Sequence, residues 1–198
     1  GEQLYLAYMK DTDGKRIEGS EYVTNDATIA SGCKWLCGSR IPTIYGSLSS
    51  NLHIKGVDLS ALFTYSLGGN IYDSTYRSMM EPSYVGQTYH VNSLRAWTEA
   101  GQITDVPKVT TTATTVINDR FLIDASYFSI KSVSAGYTFR SASLEKYHIR
   151  SLRLYASGDN LLMLSALKGL NPQSSFSGST SYTYTPNRTV SLGVDIKF

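Results

Sequence analysis

Apolar and polar residues alternate without an error through the last ten positions of the chain, TVSLGVDIKF. Val190, Leu192, Val194, Ile196 and Phe198 fall on one side, and Thr189, Ser191, Gly193, Asp195 and Lys197 on the other. A period of two is the signature of a β-strand with one apolar and one polar face. The same pattern recurs upstream. In TIYGSLSSNLHIK, which begins at Thr43, Ile44, Gly46, Leu48, Ser50, Leu52 and Ile54 share a face. Lys55 and Gly56 then supply a tight turn into VDLSALFTYSL, where Val57, Leu59, Ala61, Phe63, Tyr65 and Leu67 oppose Asp58, Ser60, Thr64 and Ser66. Two long alternating runs joined in this way predict a hairpin.

Further on, SVSAGYTF sets Val133, Ala135, Tyr137 and Phe139 on one face, but Phe128 and Ile130 belong to the opposite phase. That break predicts a bulge or a rim crossing near Lys131. In SLRLYASGDNLL, Leu152, Leu154 and Ala156 oppose Arg153, Tyr155, Ser157 and Asp159. With a weaker alternation from Leu4 to Met9, the pattern predicts about six strands. Residues 68–124 lack apolar periodicity and are expected to form a functional loop. Within them VNSLRAWTEAG predicts a short helix, with Leu94 and Trp97 at helical spacing, Asn92 or Ser93 as cap and Gly101 as stop.

The connections decide between architectures. Links 55–57 and 140–149 are short, whereas 11–42, 68–124 and 164–188 are long. A β-sandwich has no reason to keep its two ends so unequal, while an outer-membrane barrel has short periplasmic turns and long extracellular loops. Strands of about ten residues also suffice to cross the hydrocarbon when tilted. The expected fold class is therefore all-β, an antiparallel transmembrane β-barrel of which residues 1–198 form the C-terminal part. In it Leu59, Phe63, Leu154, Leu192, Val194 and Ile196 face lipid, Asp195 and Lys197 face a wet lumen, and Phe198 lies in the periplasmic aromatic girdle. The alternative that the alternation leaves open is a soluble, surface-exposed β-sandwich acting as a carbohydrate-binding module.

Composition adds exclusions. A net charge of +2 with 17% charged residues offers no basic field for nucleic acid. Fifteen tyrosines suit barrel girdles or sugar-binding surfaces. No apolar run approaches the roughly 18 residues of a spanning helix. The chain opens at Gly1 in mid-pattern, with neither initiator Met nor leader, and is expected to be a fragment. Cys33 and Cys37 are too few for a zinc site, and leave a local disulfide and two thiols equally open. His53, His90 and His148 are scattered; His90 lies near Ser93, but no third member completes a triad. No enzyme, metal or cofactor is expected. The candidate substrate contacts are Trp97, Tyr89 and Tyr84 in the long loop, Tyr182 and Tyr184 in the last loop, and Asp159 and Asn160 in GDNLL. The competing readings are packing within the loops for the aromatic residues and a rim turn for Asp159 and Asn160.

Several segments together resemble the C-terminal end of SusC/RagA-type TonB-dependent transporters of Bacteroidetes. They are IPTIYGSLSSNLHIKGVDLSALFTYSLGGNIYDS, FLIDASYFSIKSVSAGYTF, SLRLYASGDNLL, LKGLNPQSSFSG and PNRTVSLGVDIKF, in order and over residues 40–198. The resemblance implies an outer-membrane barrel of about 22 strands with an N-terminal plug. It also implies a SusD-like lipoprotein partner, TonB engaged through the N-terminal part that this chain lacks, and import of glycan or peptide fragments. Phe198 is similar to the terminal signal read by barrel-assembly machinery. With room for about six strands, the chain needs the remainder of the barrel beside it, because open strand edges at membrane depth are very costly.

Overall fold

The computed structural model describes residues 1–81, 86–109, 116–180 and 184–198. In chain order the elements are β1 (Tyr5–Ala7), β2 (Tyr22–Thr24), α1 (Ala27–Gly32), β3 (Ile44–Ile54), β4 (Val57–Leu67), β5 (Asn70–Asp73) and α2 (Ser74–Met80). There follow β6 (Leu122–Asp124), β7 (Tyr127–Phe139), α3 (Ala142–Glu145), β8 (Ser151–Ser165), β9 (Ser179–Thr180) and β10 (Thr189–Lys197). The chain divides into two compact units, Gly1–Gly38 with Tyr72–Leu122, and Ser39–Ile71 with Ile123–Phe198.

The second unit is built on a five-stranded antiparallel sheet of order β10-β8-β7-β4-β3. Each strand pairs with its nearest long neighbours in sequence, so the sheet is a meander with β3 and β10 at its edges. The β3–β4 turn needs two residues in the left-handed region, and has them in Lys55 (φ 49°) and Gly56 (φ 88°). Positive φ at both central residues is the turn that matches the twist of a hairpin. Thr138 on β7 donates its N–H to the Gly56 carbonyl at 2.8 Å, tying the turn to the third strand.

Register makes the alternation of each strand add up across the sheet. Val190, Leu192, Val194 and Ile196 on β10 pair with Gly158, Ala156, Leu154 and Leu152 on β8. Those in turn pair with Val133, Ala135, Tyr137 and Phe139 on β7. Val133, Ala135 and Tyr137 pair with Ala61, Leu59 and Val57 on β4, and Leu59 and Val57 with Leu52 and Ile54 on β3. One apolar face therefore runs unbroken over five strands. The expected bulge falls on Lys131. Phe63 pairs with Ile130 and Leu62 with Ser132, so Lys131 is skipped and Phe128 and Ile130 return to the apolar face. On the other flank Ile130 pairs with Leu162 and Ser132 with Asp159, leaving Asn160 and Leu161 extra on β8. Asn160 sits there at φ 51°, a left-handed conformation that its short amide side chain tolerates better than most.

The long sheet has five strands rather than six. The Leu4–Met9 alternation is realised only as the three residues of β1, which pair with β2, Leu6 opposite Val23. A three-residue strand is far short of the span a bilayer requires. A third, small sheet has the order β6-β5-β9.

The first unit has an ordinary core. Phe121, Met80, Ala96 and Val106 are buried together, with Tyr72 and Tyr76 packed on them. Phe121 meets both tyrosines edge-on, at 6.4 and 5.8 Å between centroids. Part of the stretch expected to be a loop is thus folded. α2 starts at Asp73, whose carboxylate accepts the Tyr76 N–H at 2.9 Å. Glu81 closes its end, paired with Arg77 at 3.2 Å and Arg120 at 3.9 Å. The helix expected around Leu94 and Trp97 is a single 3-10 turn, Val91–Arg95. The cap is His90, whose Nδ1 accepts the Asn92 N–H at 3.1 Å. Ala96 then leaves helical geometry at ψ 147°, and Trp97 donates to the Val106 carbonyl at 3.0 Å instead of continuing the turn.

Candidate functional site

The sheet of the second unit is inside out. Its apolar face is exposed, from Ile44, Leu48 and Leu52 on β3 to Val190, Leu192 and Val194 on β10; Leu192 is 84% exposed. Leu59, Leu154 and Ile196 are exposed with them, and Phe63 is half-buried. The side chains hidden on this sheet are hydroxyls, Ser129 at 2% and Ser66 at 5% exposure. Among the described residues no second sheet covers the apolar face, as a sandwich would require. In water an apolar patch of this extent is strongly unfavourable, at roughly 1.5–3 kcal/mol for each large side chain left unburied.

The polar face has two zones. Towards the short turns, Arg153 reaches from β8 across β7 to Asp58 on β4, with Nε on Oδ1 at 3.1 Å and Nη2 on Oδ2. Such a two-pronged contact fixes geometry as well as charge. It is possible because Gly136 lies beneath: a Cβ there would fall 2.7 Å from Asp58 Oδ2 and 3.0 Å from Arg153 Nη2. Arg153 also stacks over Tyr155, 4.8 Å from the ring centroid. The Tyr155 ring in turn lies over Gly193, where a Cβ would come within 2.2 Å of it. Small residues thus alternate with large ones across this level of the sheet. Towards the long connections, the polar face is covered by chain that follows β8. Gln173 Nε2 donates to Thr64 Oγ1 at 3.3 Å, over the buried Ser66 and Ser129.

The candidate contact residues are scattered. Asp159 and Asn160 sit inside β8 at the bulge, not in a rim turn. Asp159 pairs with Thr189 and Ser132 on the polar face, and Asn160 Nδ2 donates to the Asn187 carbonyl at 3.4 Å. Tyr184 is 95% exposed. In the first unit Trp97 is half-buried, its ring against Gly1, and Tyr89 is exposed. Tyr84 and Tyr182 lie outside the described residues. Phe198 is exposed just beyond β10. Sequence reasoning missed the Arg153–Asp58 pair and the cover over Ser129. Register alone does not single out the pair, because Asp195 on β10 stands directly opposite Arg153, whereas Asp58 is level with Gly136 and one step along from Arg153. Cys33 Sγ lies 3.6 Å from the Tyr8 carbonyl and Cys37 Sγ 3.7 Å from the Trp35 carbonyl. Among the described residues no group of metal ligands occurs, and no helix there is long and apolar enough to cross a membrane.

No family model matches the chain. Curated relatives do. It is 26% identical over 181 residues to TonB-dependent receptor P3 of Formosa agariphila, covering 86% of this chain and 18% of the relative. It is 25% identical over 190 residues to TonB-dependent receptor SusC of Bacteroides thetaiotaomicron, covering 95% and 18%. Its fold superposes on the RagAB peptide importer in the closed-closed state with a TM-score of 0.75, at 25% identity, over all of this chain and 21% of that one. The chain is thus similar to TonB-dependent receptors, SusC among them, at modest identity over most of its length. It spans about a fifth of the length of the relatives it matches, 17% to 20%. These relatives are receptors and an importer rather than enzymes, and the outer membrane is the location that the kinship assigns.

Proposed function

We propose that this chain is the C-terminal wall segment of an outer-membrane nutrient importer. Leu59, Phe63, Leu154, Leu192, Val194 and Ile196 face lipid, and the face bearing Asp58, Arg153, Tyr155 and Asp195 lines the lumen. The remainder of the barrel pairs with the open edges of β3 and β10, since unpaired backbone groups at membrane depth cost several kcal/mol each. A SusD-like lipoprotein covers the outer mouth, and TonB acts through parts of the transporter outside this chain. The substrate is an oligosaccharide or a peptide, with Trp97, Tyr89, Asp159, Asn160, Tyr182 and Tyr184 as candidate contacts and Phe198 as the barrel-assembly signal.

The single observation that carries the reading is the inversion of the sheet: a continuous, exposed apolar face opposite buried serines. A protein built for water has no use for that arrangement, whereas a barrel wall requires it. The test is single cysteines at Leu59, Leu154 and Leu192 and at Ser60, Ser157 and Ser191, probed in membranes with a water-soluble thiol reagent. Cys33 and Cys37 are first replaced by Ser. Labelling of the serine positions with protection of the leucine positions is the expected outcome. Equal labelling of both sets contradicts it.

A further inference from the structure

The polar face is bare towards the short turns and covered towards the long connections, and the cover has a fastening. At the end of β8, Ser165 Oγ lies within hydrogen-bonding distance of the carbonyls of Leu167 (3.0 Å) and Leu170 (2.9 Å), so the chain folds back at once. Leu170 is buried with Ile71 and Ala125. Pro172 is fully buried, and Gln173 bonds to Thr64 on the polar face of β4. Arg40, just before β3, donates from Nη2 to the carbonyls of Pro172 at 2.6 Å and Ser175 at 3.2 Å. Its guanidinium lies 5.3 Å from the Phe176 ring centroid. No carboxylate pairs with Arg40 among the described residues, and its Nε is buried without a partner. A part-buried guanidinium spent on two carbonyls of one distant segment is a clamp on that segment. Past the clamp the chain reaches β9, which joins the small sheet.

We infer that residues 166–178 form an in-folded strap, held by Arg40, and that this strap rather than the strands is the surface a solute meets along the outer part of the lumen wall. The inference rests on the transporter reading, which makes the polar face the lumen. Beneath the strap Thr64, Ser66 and Ser129 are withdrawn from solvent or bonded to it. On its open side it presents Ser174 and the largely exposed ring of Phe176, an aromatic platform set among hydroxyl and amide groups. Selectivity along this stretch of wall is thus carried by a segment that can be exchanged without touching the register of a strand.

The test uses the full-length transporter that contains this segment, in outer membranes, with Cys33 and Cys37 replaced by Ser. In one arm Thr64→Cys and Gln173→Cys are combined and treated with a short bifunctional thiol reagent. In the other, Ser129→Cys and Ser60→Cys are labelled singly, with and without Arg40→Ala or Arg40→Lys. The strap predicts bridging of 64 to 173, and labelling of Ser129→Cys about tenfold slower than Ser60→Cys, as for a site reached only by local opening. Arg40→Ala should remove most of that protection and Arg40→Lys only part. Absence of bridging, or equal labelling of the two positions with Arg40 intact, overturns the strap. Unchanged protection in Arg40→Ala overturns the clamp. Should Arg40→Ala fail to assemble, the bridging arm still decides, because it leaves Arg40 in place. A Leu192→Cys control separates the two readings: if it labels like Ser60→Cys, the transporter reading fails whatever the strap does.

Discussion

The core of the first unit and the sheet of the second bury opposite kinds of residue. Around Phe121, which is 0% exposed, the chain hides Met80, Ala96 and Val106, as a domain in water must. In the sheet, Leu192 and Val194 are exposed while Ser66 and Ser129 are buried. On the proposed reading a single sequence folds for two solvents. What differs is how apolar residues are supplied. The core draws them from six irregularly spaced positions over residues 72–121, whereas the sheet supplies them at most alternate positions of five long strands. A core can be gathered from irregular chain because it needs only volume. A lipid-facing surface has no interior in which to hide an error, so it must be periodic.

Substitutions in the two regions should break this comparison in opposite ways. The largest effect is expected for Phe121→Ala, which opens a cavity in the first unit and should cost about 3–5 kcal/mol in chemical denaturation. Local amide exchange in residues 72–109 should accelerate while strand amides stay protected. Next comes Leu192→Arg, expected to cost about 2–4 kcal/mol of folding into bilayers, as for a charge near mid-membrane on a lipid face. The neighbouring Ser191→Arg should be nearly silent in the same assay, and equal costs would dissolve the distinction between the faces. A smaller cost, about 1–3 kcal/mol, is expected for Gly136→Val, because the added side chain meets the Asp58 and Arg153 head groups and must push the pair apart. Asp58→Ala in the Gly136→Val background should add little if that collision is the cause.

The smallest effect is a pH response in the first unit. Glu21 is held below the ordinary glutamate range, first by its hydrogen bond from Arg16. A carboxyl whose folded pKa is depressed stabilises the fold above its unfolded value and loses that contribution as pH falls through the folded one. The Arg16–Glu21 contact should therefore persist at neutral pH and loosen on acidification below about 4.5. Arg16 also lies 4.1 Å from the Trp35 ring centroid. Trp35 fluorescence in a Trp97→Phe background should report the change, and Glu21→Gln should abolish its pH dependence.

The strands were legible because period two is local. The phase break before Val133 even located the bulge, since Ile130 can share a face with Val133 only if Lys131 is skipped. The weak alternation at Leu4–Met9 misled for the same reason: a pattern a few residues long does not say which partner it will find, and here it found Tyr22–Thr24. Helical spacing at Leu94 and Trp97 was overridden by a cap and a tertiary hydrogen bond that spacing does not encode. The strap was invisible for a further reason. Its residues are mostly Ser, Gly, Asn and Gln without periodicity, and Arg40, which fastens it, lies 132 residues before Pro172. Only the folded chain brings them together.

The central claim is that the two faces of the sheet meet different solvents. It is tested most directly by scanning a nitroxide spin label through residues 189–197 of β10 in the membrane-embedded transporter. Collision rates with oxygen, which concentrates in lipid, and with a water-soluble nickel chelate would be measured at each position. The account predicts oxygen maxima at Val190, Leu192, Val194 and Ile196, with nickel maxima out of phase at the residues between them. The two profiles rising and falling together, with no period of two, would contradict it.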